Sequence, residues 1–478
     1  MSEVPPASKL NVFLWSTYDI ANTIFSMGIV SMTVIQYVTL LGMYNGYDYS
    51  FSTILATIAL AISNLIVAIT IPVMGTITDN AGKGKPGTIV LGALTILCTG
   101  LVFLFNNVFI GILFFMGANI FYQWGNLAYD TMIPRICKDS ETGWVSAVGV
   151  ALGYGGSFIA VIFNFAAAAV FGEAVSLPDD IGTIAPSQYE AVLGSKDLWI
   201  GHLGPMWVIC AIGFLLIALP FLLTRERAGV NRLKEMGLGN LLSSAIKETI
   251  DTAKEVWRYP DMRWFVIGWF FMVDVVQTII NIMKPAAVFG FGMGEGTATL
   301  LLLVGVVFAF LLTPIAGPIA DKKGPRFLAK IVCSVWLIAL AIPIFTASFS
   351  VTTQVPIFLG FIPNIALYLM AVLVGFGMGS IWVVQRTMTV ELAPPDKVGK
   401  YFGFSKLAGK GSSALGILIF GSIISFFASS AGLGSNILAY KVGIGVLFVL
   451  FAIGTFFILR VKDYHEKFLA GKRAPYEN

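Results

Sequence analysis

Histidine occurs twice in these 478 residues, cysteine four times, and charged side chains make up only 12% of the chain. Each scarcity excludes something. His202 and His465 are too few for a zinc or haem ligand set, so the sequence implies no metal and no cofactor. Cys98, Cys137, Cys210 and Cys333 show no short paired spacing, and three of them sit in apolar runs, which reads as buried free thiols. No nucleophile–base arrangement and no Gly-rich phosphate loop is present, which argues against an enzyme. The net charge of +4 is modest and no sign of nucleic-acid binding.

What the chain has in excess is apolar surface. Hydrophobic residues make up 57%, aromatics 13%, and the mean hydropathy is +0.85. A soluble domain is about 45–50% apolar and about 25% charged, so one globular core cannot hide this excess and a lipid bilayer is the natural solvent. The 50 glycines fit, because helices in lipid approach closely through small residues. Apolar runs long enough to cross a bilayer fall near 12–42, 51–76, 87–105, 108–132, 143–172 and 204–224. They resume near 263–290, 297–320, 326–347, 357–391, 401–428 and 438–460. The expectation is an all-α polytopic membrane protein with twelve transmembrane helices in two sets of six. The first run lacks a basic leader and a small-residue cleavage site and reads as a retained span.

Charge sets the expected orientation. Lys83, Lys85, Arg135, Lys138, Lys322, Lys323, Arg326, Lys397 and Lys400 fall in loops on one side, with eight more basic residues in the central loop and five in the tail. The opposite loops hold Lys196 against Asp48, Glu173, Asp179, Asp180, Glu190, Asp197 and Glu295. The positive-inside rule then places both termini in the cytoplasm of a cell that carries the protein in its cytoplasmic membrane. The expected organisation is a six-helix bundle over 1–224, a cytoplasmic linker over 225–262, and a second bundle with a short tail over 263–478. Leu242, Ile246, Thr249, Ala253, Val256 and Trp257 recur at helical spacing in the linker, predicting an amphipathic helix against the membrane or the bundle. The acidic segment 172–203 reads as an external lid or spacer.

The halves repeat each other. Asp19, Asn22, Thr23 and Ile24 match Asp274, Gln277, Thr278 and Ile279; Gly143, Gly153, Gly155 and Ser157 match Gly399, Gly409, Gly411 and Ser413; Gly75, Asp79 and Gly82 match Gly317, Asp321 and Gly324. Two parallel six-span halves related by an axis along the membrane normal are the arrangement of major facilitators. The Gly-x-x-x-Asp-x-x-Gly loop, with Lys83 and Lys85 at the first copy and Lys322, Lys323 and Arg326 at the second, resembles that superfamily's signature loop. Tyr18-Asp19-x-Ala21-Asn22, Asp274-x-x-Gln277-Thr278, Arg386, Phe402-Gly403-Phe404 and Gly409-Lys410 resemble the Atg22-like (UMF1) family, whose eukaryotic members are vacuolar amino-acid exporters. The resemblance implies a major facilitator fold in which spans 1, 4, 7 and 10 line a central cavity. It further implies that Asp79 and Asp321, with Gly75 and Gly317, belong to gating loops that hold the two halves together on the cytoplasmic side.

Polar residues inside apolar spans fall on single helix faces. Trp15, Asp19, Asn22 and Ser26 do so in span 1; Asn119, Gln123, Asn126 and Asp130 in span 4; Asp274, Gln277, Asn281 and Lys284 in span 7; Lys406, Lys410 and Ser413 in span 11. A charged residue at mid-span costs at least about 2.5–3.5 kcal/mol, so each needs a partner or an aqueous face. At about 1.5 Å per residue, Asp274 and Lys410 lie roughly 16 and 14 Å into their spans. The candidate site for substrate or proton is Asp19, Asn22, Asn126, Asp274, Gln277, Asn281, Arg386 and Lys410. Acidic and basic groups together suit a zwitterion, and the aspartates suit a coupled proton or cation. The function expected is therefore alternating-access transport of a small polar solute, with an amino acid favoured. The alternatives are a sugar–cation symporter or drug exporter of the same fold, with Trp15, Trp124 and Trp382 free to stack on a ring, or a membrane receptor or sensor. Trp199, Trp207 and Trp264 read as interface anchors.

Overall fold

The computed structural model describes residues 7–172, 174, 200–232, 238–291, 293, 295–346, 354–357, 360–363, 365–412, 415–430 and 436–472. Most of the 172–203 segment, with Trp199, and Ser413 lie outside the described residues.

The described chain is almost entirely helical. In order it forms α1 (Lys9–Ile24), a π-helical turn (Phe25–Ser31), α2 (Val34–Tyr44), α3 (Tyr49–Ala81), α4 (Lys85–Leu101), α5 (Val108–Asp130), α6 (Ile133–Ile136), α7 (Thr142–Phe171) and α8 (Leu203–Ala218). Then come α9 (Leu238–Arg258), α10 (Pro260–Pro285), a second π-helical turn (Ala286–Gly290), α11 (Glu295–Lys323) and α12 (Pro325–Thr346). A hairpin of β1 (Gln354–Ile357) and β2 (Gly360–Pro363) follows. The chain continues through α13 (Ile365–Leu392), α14 (Val398–Ser412), α15 (Leu415–Ser430), α16 (Asn436–Arg460) and α17 (His465–Leu469). Among the described residues nine helices are long and apolar enough to cross a bilayer, or ten when α1, its π turn and α2 are taken as one span bent by 46°. The helix α4 is shorter, and the described residues of the eleventh expected span are those of α14 and α15, with 413 and 414 outside the described residues.

Two boundaries depart from the sequence reading. The span expected from 357 starts at Ile365, because Gln354 to Ile357 pair antiparallel with Gly360 to Pro363. Pro356, Gly360 and Pro363 disfavour helix there. The first expected span is bent at the break between Ser31 and Val34, directly after the π turn. Each copy of the repeat thus carries a π turn after the first helix of its half.

By contacts the chain divides into two compact units, one of Ala7–Ile136 and Leu152–Glu235, the other of Cys137–Ala151 and the described residues of Met236–Asn478. In the first, α1 packs on α8, α3 on α5, and α4 on α5 and α8. In the second, α13 packs on α11 and α12, and α10 on α14 and α16. Outward-facing positions such as Ile69, Leu113, Phe165 and Leu418 are exposed apolar side chains, the pattern of helices solvated by lipid. The linker helix predicted from periodicity is present as α9, and it belongs to the second unit.

Candidate functional site

In the first unit, Asp19 and Asn22 are both buried on α1. They sit against glycines of α7. A Cβ added at Gly153 would stand 3.4 Å from Asp19 Cγ, and one at Gly156 would stand 2.3 Å from the Ile20 carbonyl oxygen. The contact at Gly153 would be an ordinary one, whereas at Gly156 only glycine lets α7 ride this close to the backbone of α1. The Thr23 hydroxyl donates to the Asp19 carbonyl at 2.8 Å, and Asn22 Oδ1 is buried with no hydrogen-bond partner among the described residues. Asn126 is half-buried on α5. Its stripe neighbour Asn119 gives its amide to Ser63 Oγ at 2.8 Å and Asn64 Oδ1 at 3.3 Å, so that member of the stripe is structural.

The second unit repeats the arrangement. Asp274 is buried on α10, and its Oδ1 accepts the Gly416 backbone N–H at 2.9 Å. Gly416 is the second described residue of α15, so the carboxylate holds a backbone N–H of the eleventh expected span. Sequence reasoning missed Gly416, because an isolated glycine in an apolar run carries no polar signal. A Cβ there would stand 2.3 Å from Thr278 Oγ1 and 2.8 Å from Asp274 Oδ2. Gly416→Ala is therefore expected to destabilise the protein by about 1–3 kcal/mol, read as a lower unfolding midpoint in detergent.

Arg386, on α13, is buried, and Lys410, in the last turn of α14, is half-buried. The helices α10, α13 and α14 pack on one another, so one carboxylate and two cations stand on three mutually packed helices. Gln385 is tied to Ser405 Oγ at 2.8 Å. Gln277 is half-buried and Asn281 exposed. The tryptophans offered as ring-stacking groups are engaged in packing. Trp15 stacks on Tyr129 at 4.3 Å between centroids, Trp124 Nε1 donates to Thr70 Oγ1 at 3.0 Å, and Trp382 meets Trp269 edge-on. Trp207 is no interface anchor: it is fully buried against Tyr37 and Phe115, because its helix presents that face to the bundle.

The two signature loops share a construction. Gly82 and Gly324 end α3 and α11 with φ of +69° and +85°, the left-handed region that favours glycine. Each is covered by the chain that follows the last span of its half. The Val230 carbonyl oxygen would lie 2.7 Å from a Cβ at Gly82, and His465 Cβ 2.9 Å from one at Gly324. Lys85 Nζ donates to the carbonyls of Leu222 at 2.7 Å and Thr224 at 2.8 Å; Arg326 donates to that of Leu459 at 2.9 Å. The basic residues after each loop thus meet the carbonyl end of the half's last span. Glu226 accepts from the backbone N–H groups of Gly84 at 2.7 Å and Lys85 at 2.9 Å and lies 3.5 Å from Arg135. In the second unit Asp261 accepts from Lys462 N at 2.8 Å and Tyr464 Oη at 2.7 Å. Gly324→Ala is expected to cost more than about 1 kcal/mol, because φ stays positive and His465 stands in the way; thermal unfolding reads it.

Asp321 uses both oxygens. Oδ1 accepts from Gly143 N and Oδ2 from Trp144 N, each at 2.7 Å, at the start of α7. Gly317 makes room one turn earlier: a Cβ there would lie 2.8 Å from Trp144 Cα. Asp79 and Gly75, their counterparts, are buried on α3.

His465 closes the second loop. Its Nε2 lies 3.0 Å from the Asp321 carbonyl oxygen and its Nδ1 3.5 Å from Glu391 Oε2. The bond to Glu391 raises the imidazole pKa above its ordinary 6.5, assisted by the charges of Glu391 and Asp463 and the Asp321 carbonyl, and opposed by burial. Asp139 and Glu141, on the short turn that α17 packs against, and the Asp321 carboxylate are the other acidic groups on this side. A raised folded-state pKa means the contribution is full below the unfolded value and is lost as pH climbs through the folded one. The unfolding midpoint is therefore expected to fall as pH rises above 6.5, and His465→Gln is expected to flatten that part of the profile.

Comparison with known proteins comes to the same fold. The sequence model of the family described as "Vacuole effluxer Atg22 like" matches residues 36–463. The chain is 24% identical over 437 residues, 91% of its own length and 93% of the other's, to the "Uncharacterized MFS-type transporter YxiO" of Bacillus subtilis. It is 28% identical over 188 residues to "Autophagy-related protein 22" of Yarrowia lipolytica, covering 37% of this chain and 29% of that one. Among solved structures, the proton:xylose symporter XylE superposes with a TM-score of 0.64 at 15% identity, over 95% of this chain and 96% of the other. FucP in the outward conformation does so at 0.64 and 16% identity, over 94% and 97%. The all-helical, twice-repeated bundle is thus the major facilitator fold.

Proposed function

Because the chain belongs to the Atg22-like family of major facilitator transporters, we propose that it moves an amino acid or a similar small zwitterion by alternating access, coupled to a proton. The observation that carries this reading is that Asp274, Arg386 and Lys410 stand on three mutually packed helices of one unit. A zwitterion needs an acceptor for its ammonium and donors for its carboxylate, and these helices carry both signs within apolar spans, where unsatisfied charge is expensive. Asp274 and Asp19, at matched repeat positions, are the groups able to carry the coupled proton. Asn22, Asn126, Gln277 and Asn281 supply neutral hydrogen bonds. Asp79 and Asp321, with Gly75 and Gly317, act in the gating loops. The excess of Lys and Arg in the loops of one side supports a cytoplasmic membrane with both termini inside.

A sugar is the weaker reading. The sugar symporters share the fold at 15–16% identity, which speaks to fold alone. The three tryptophans that favoured a ring-shaped cargo are occupied by protein neighbours. The test is uptake of a pooled amino-acid mixture into proteoliposomes, with and without a pH gradient and in both gradient directions. Gradient-dependent accumulation supports the reading. Accumulation of sugars but of no amino acid overturns it.

A further inference from the structure

At one end of the second unit two arginines converge on one indole. Arg263 lies in the first turn of α10 and Arg460 is the last residue of α16. Their guanidinium carbons stand 4.8 and 5.5 Å from the centre of the Trp264 ring, and Arg460 also stands 4.4 Å from that of Phe456. Phe457 stacks on Trp264 at 5.5 Å. The two like charges are therefore within about one Debye length of each other at 0.1 M salt, where they repel unless an anion joins them. Among the described residues neither is in an ion pair with a carboxylate. Arg263 Nε is buried with no hydrogen-bond partner among the described residues.

The neighbouring end of α9 says what kind of anion fits. One side of α9 is held to the bundle: Ala245, Thr252 and Val256 are buried, and Glu248 and Glu255 pair with Lys400 at 2.9 Å and Lys397 at 2.6 Å. Another side carries Ile246, Ile250 and Trp257, all exposed, at i, i+4 and i+11. Lys247, Lys254 and Arg258 run beside this ridge, with Asp251 3.2 Å from Lys254. An apolar ridge edged by cations, ending in Trp257 and Arg258 a few residues before Arg263, suits the boundary between acyl chains and headgroups. A free anion in water would have no use for the ridge.

We propose that Arg263 and Arg460, with Arg258, bind the headgroup phosphate of an anionic phospholipid, and that Ile246, Ile250 and Trp257 rest in the same leaflet. The planar guanidinium fork matches a phosphate, and Trp264 with Phe456 holds the two forks in place. The site is independent of the solute pathway.

The full chain, purified in detergent, would be titrated with phosphatidylglycerol, phosphatidylcholine or inorganic phosphate. Bound lipid is read by native mass spectrometry and stability by thermal unfolding. Phosphatidylglycerol should bind and raise the unfolding midpoint, and the other two should do neither. In R263Q/R460Q its apparent affinity should fall roughly tenfold, about 1.4 kcal/mol. Should the double variant not fold, R460Q alone, at an exposed helix end, carries the test with a smaller loss. Equal binding of both lipids, or full retention of phosphatidylglycerol by the arginine variants, overturns the proposal. So does an equal rise in midpoint with inorganic phosphate, which would mean a soluble-anion site.

Discussion

Asp274→Asn is expected to abolish gradient-driven transport, lowering the rate at least about a hundredfold (roughly 2.7 kcal/mol), while leaving the fold intact. The two halves of that expectation rest on different atoms. The amide keeps an oxygen where Oδ1 accepts the Gly416 N–H, so that hydrogen bond survives. It has neither a charge nor a titratable proton, so it can neither pair with a substrate ammonium nor carry a coupled proton. Asp274→Ala removes the acceptor as well and is expected to lose a further 1–3 kcal/mol, approximately, of stability. Proteoliposome flux measured beside the unfolding midpoint separates the two. Wild-type flux in Asp274→Asn would reduce Asp274 to a structural acceptor for Gly416. Equal losses of stability in both variants would show that Gly416 depends on the charge and not on the acceptor.

The repeat made much of this legible in advance. Asp19 and Asp274 were matched by sequence, and the structure gives both the same kind of neighbour, a glycine of the fifth or eleventh expected span. The sequence could show that the stripes lie on helix faces, because a period of 3.6 residues does that by itself. It could not show which stripe residues are used up by neighbours. Asn119 and Trp15 sat on candidate faces and Trp382 was a candidate stacking group, yet each is met by a side chain far away in sequence. The bond from the Gly416 N–H to Asp274 was invisible for a related reason: a backbone donor leaves no mark in an apolar run. The hairpin before α13 was missed because Val355, Ile357, Phe361 and Ile362 extend the apolar count, and only Pro356, Gly360 and Pro363 argue against helix. In the signature loops the residue types pointed to the right place, but the partners of Lys85 and Arg326 are carbonyls, which no sequence pattern reveals.

Asp321 sets the opposite test to Asp274. Here both carboxylate oxygens are engaged, one on Gly143 N and one on Trp144 N, each at 2.7 Å. Asparagine can face only one of those donors with oxygen and must turn its NH2 toward the other, so the isosteric variant is expected to fail nearly as badly as alanine. Charge-assisted bonds to a helix start are each worth about 1.5–3 kcal/mol, and the dipole of α7, a long helix, adds to them. Losing both should speed amide exchange in the first turn of α7 by roughly thirtyfold or more, the factor that about 2 kcal/mol represents. Exchange deep in α11 should change little, because its ladder does not depend on the side chain. Hydrogen–deuterium exchange of the peptides spanning 139–150 and 300–315, in wild type, Asp321→Asn and Asp321→Ala, reads this directly. If Asp321→Asn exchanges like wild type, a neutral acceptor is enough and charge has no part in holding the head of α7. If both variants open that turn and also lose transport, the end of α11 and the start of α7 work as one latch, which is the role proposed for the second signature loop.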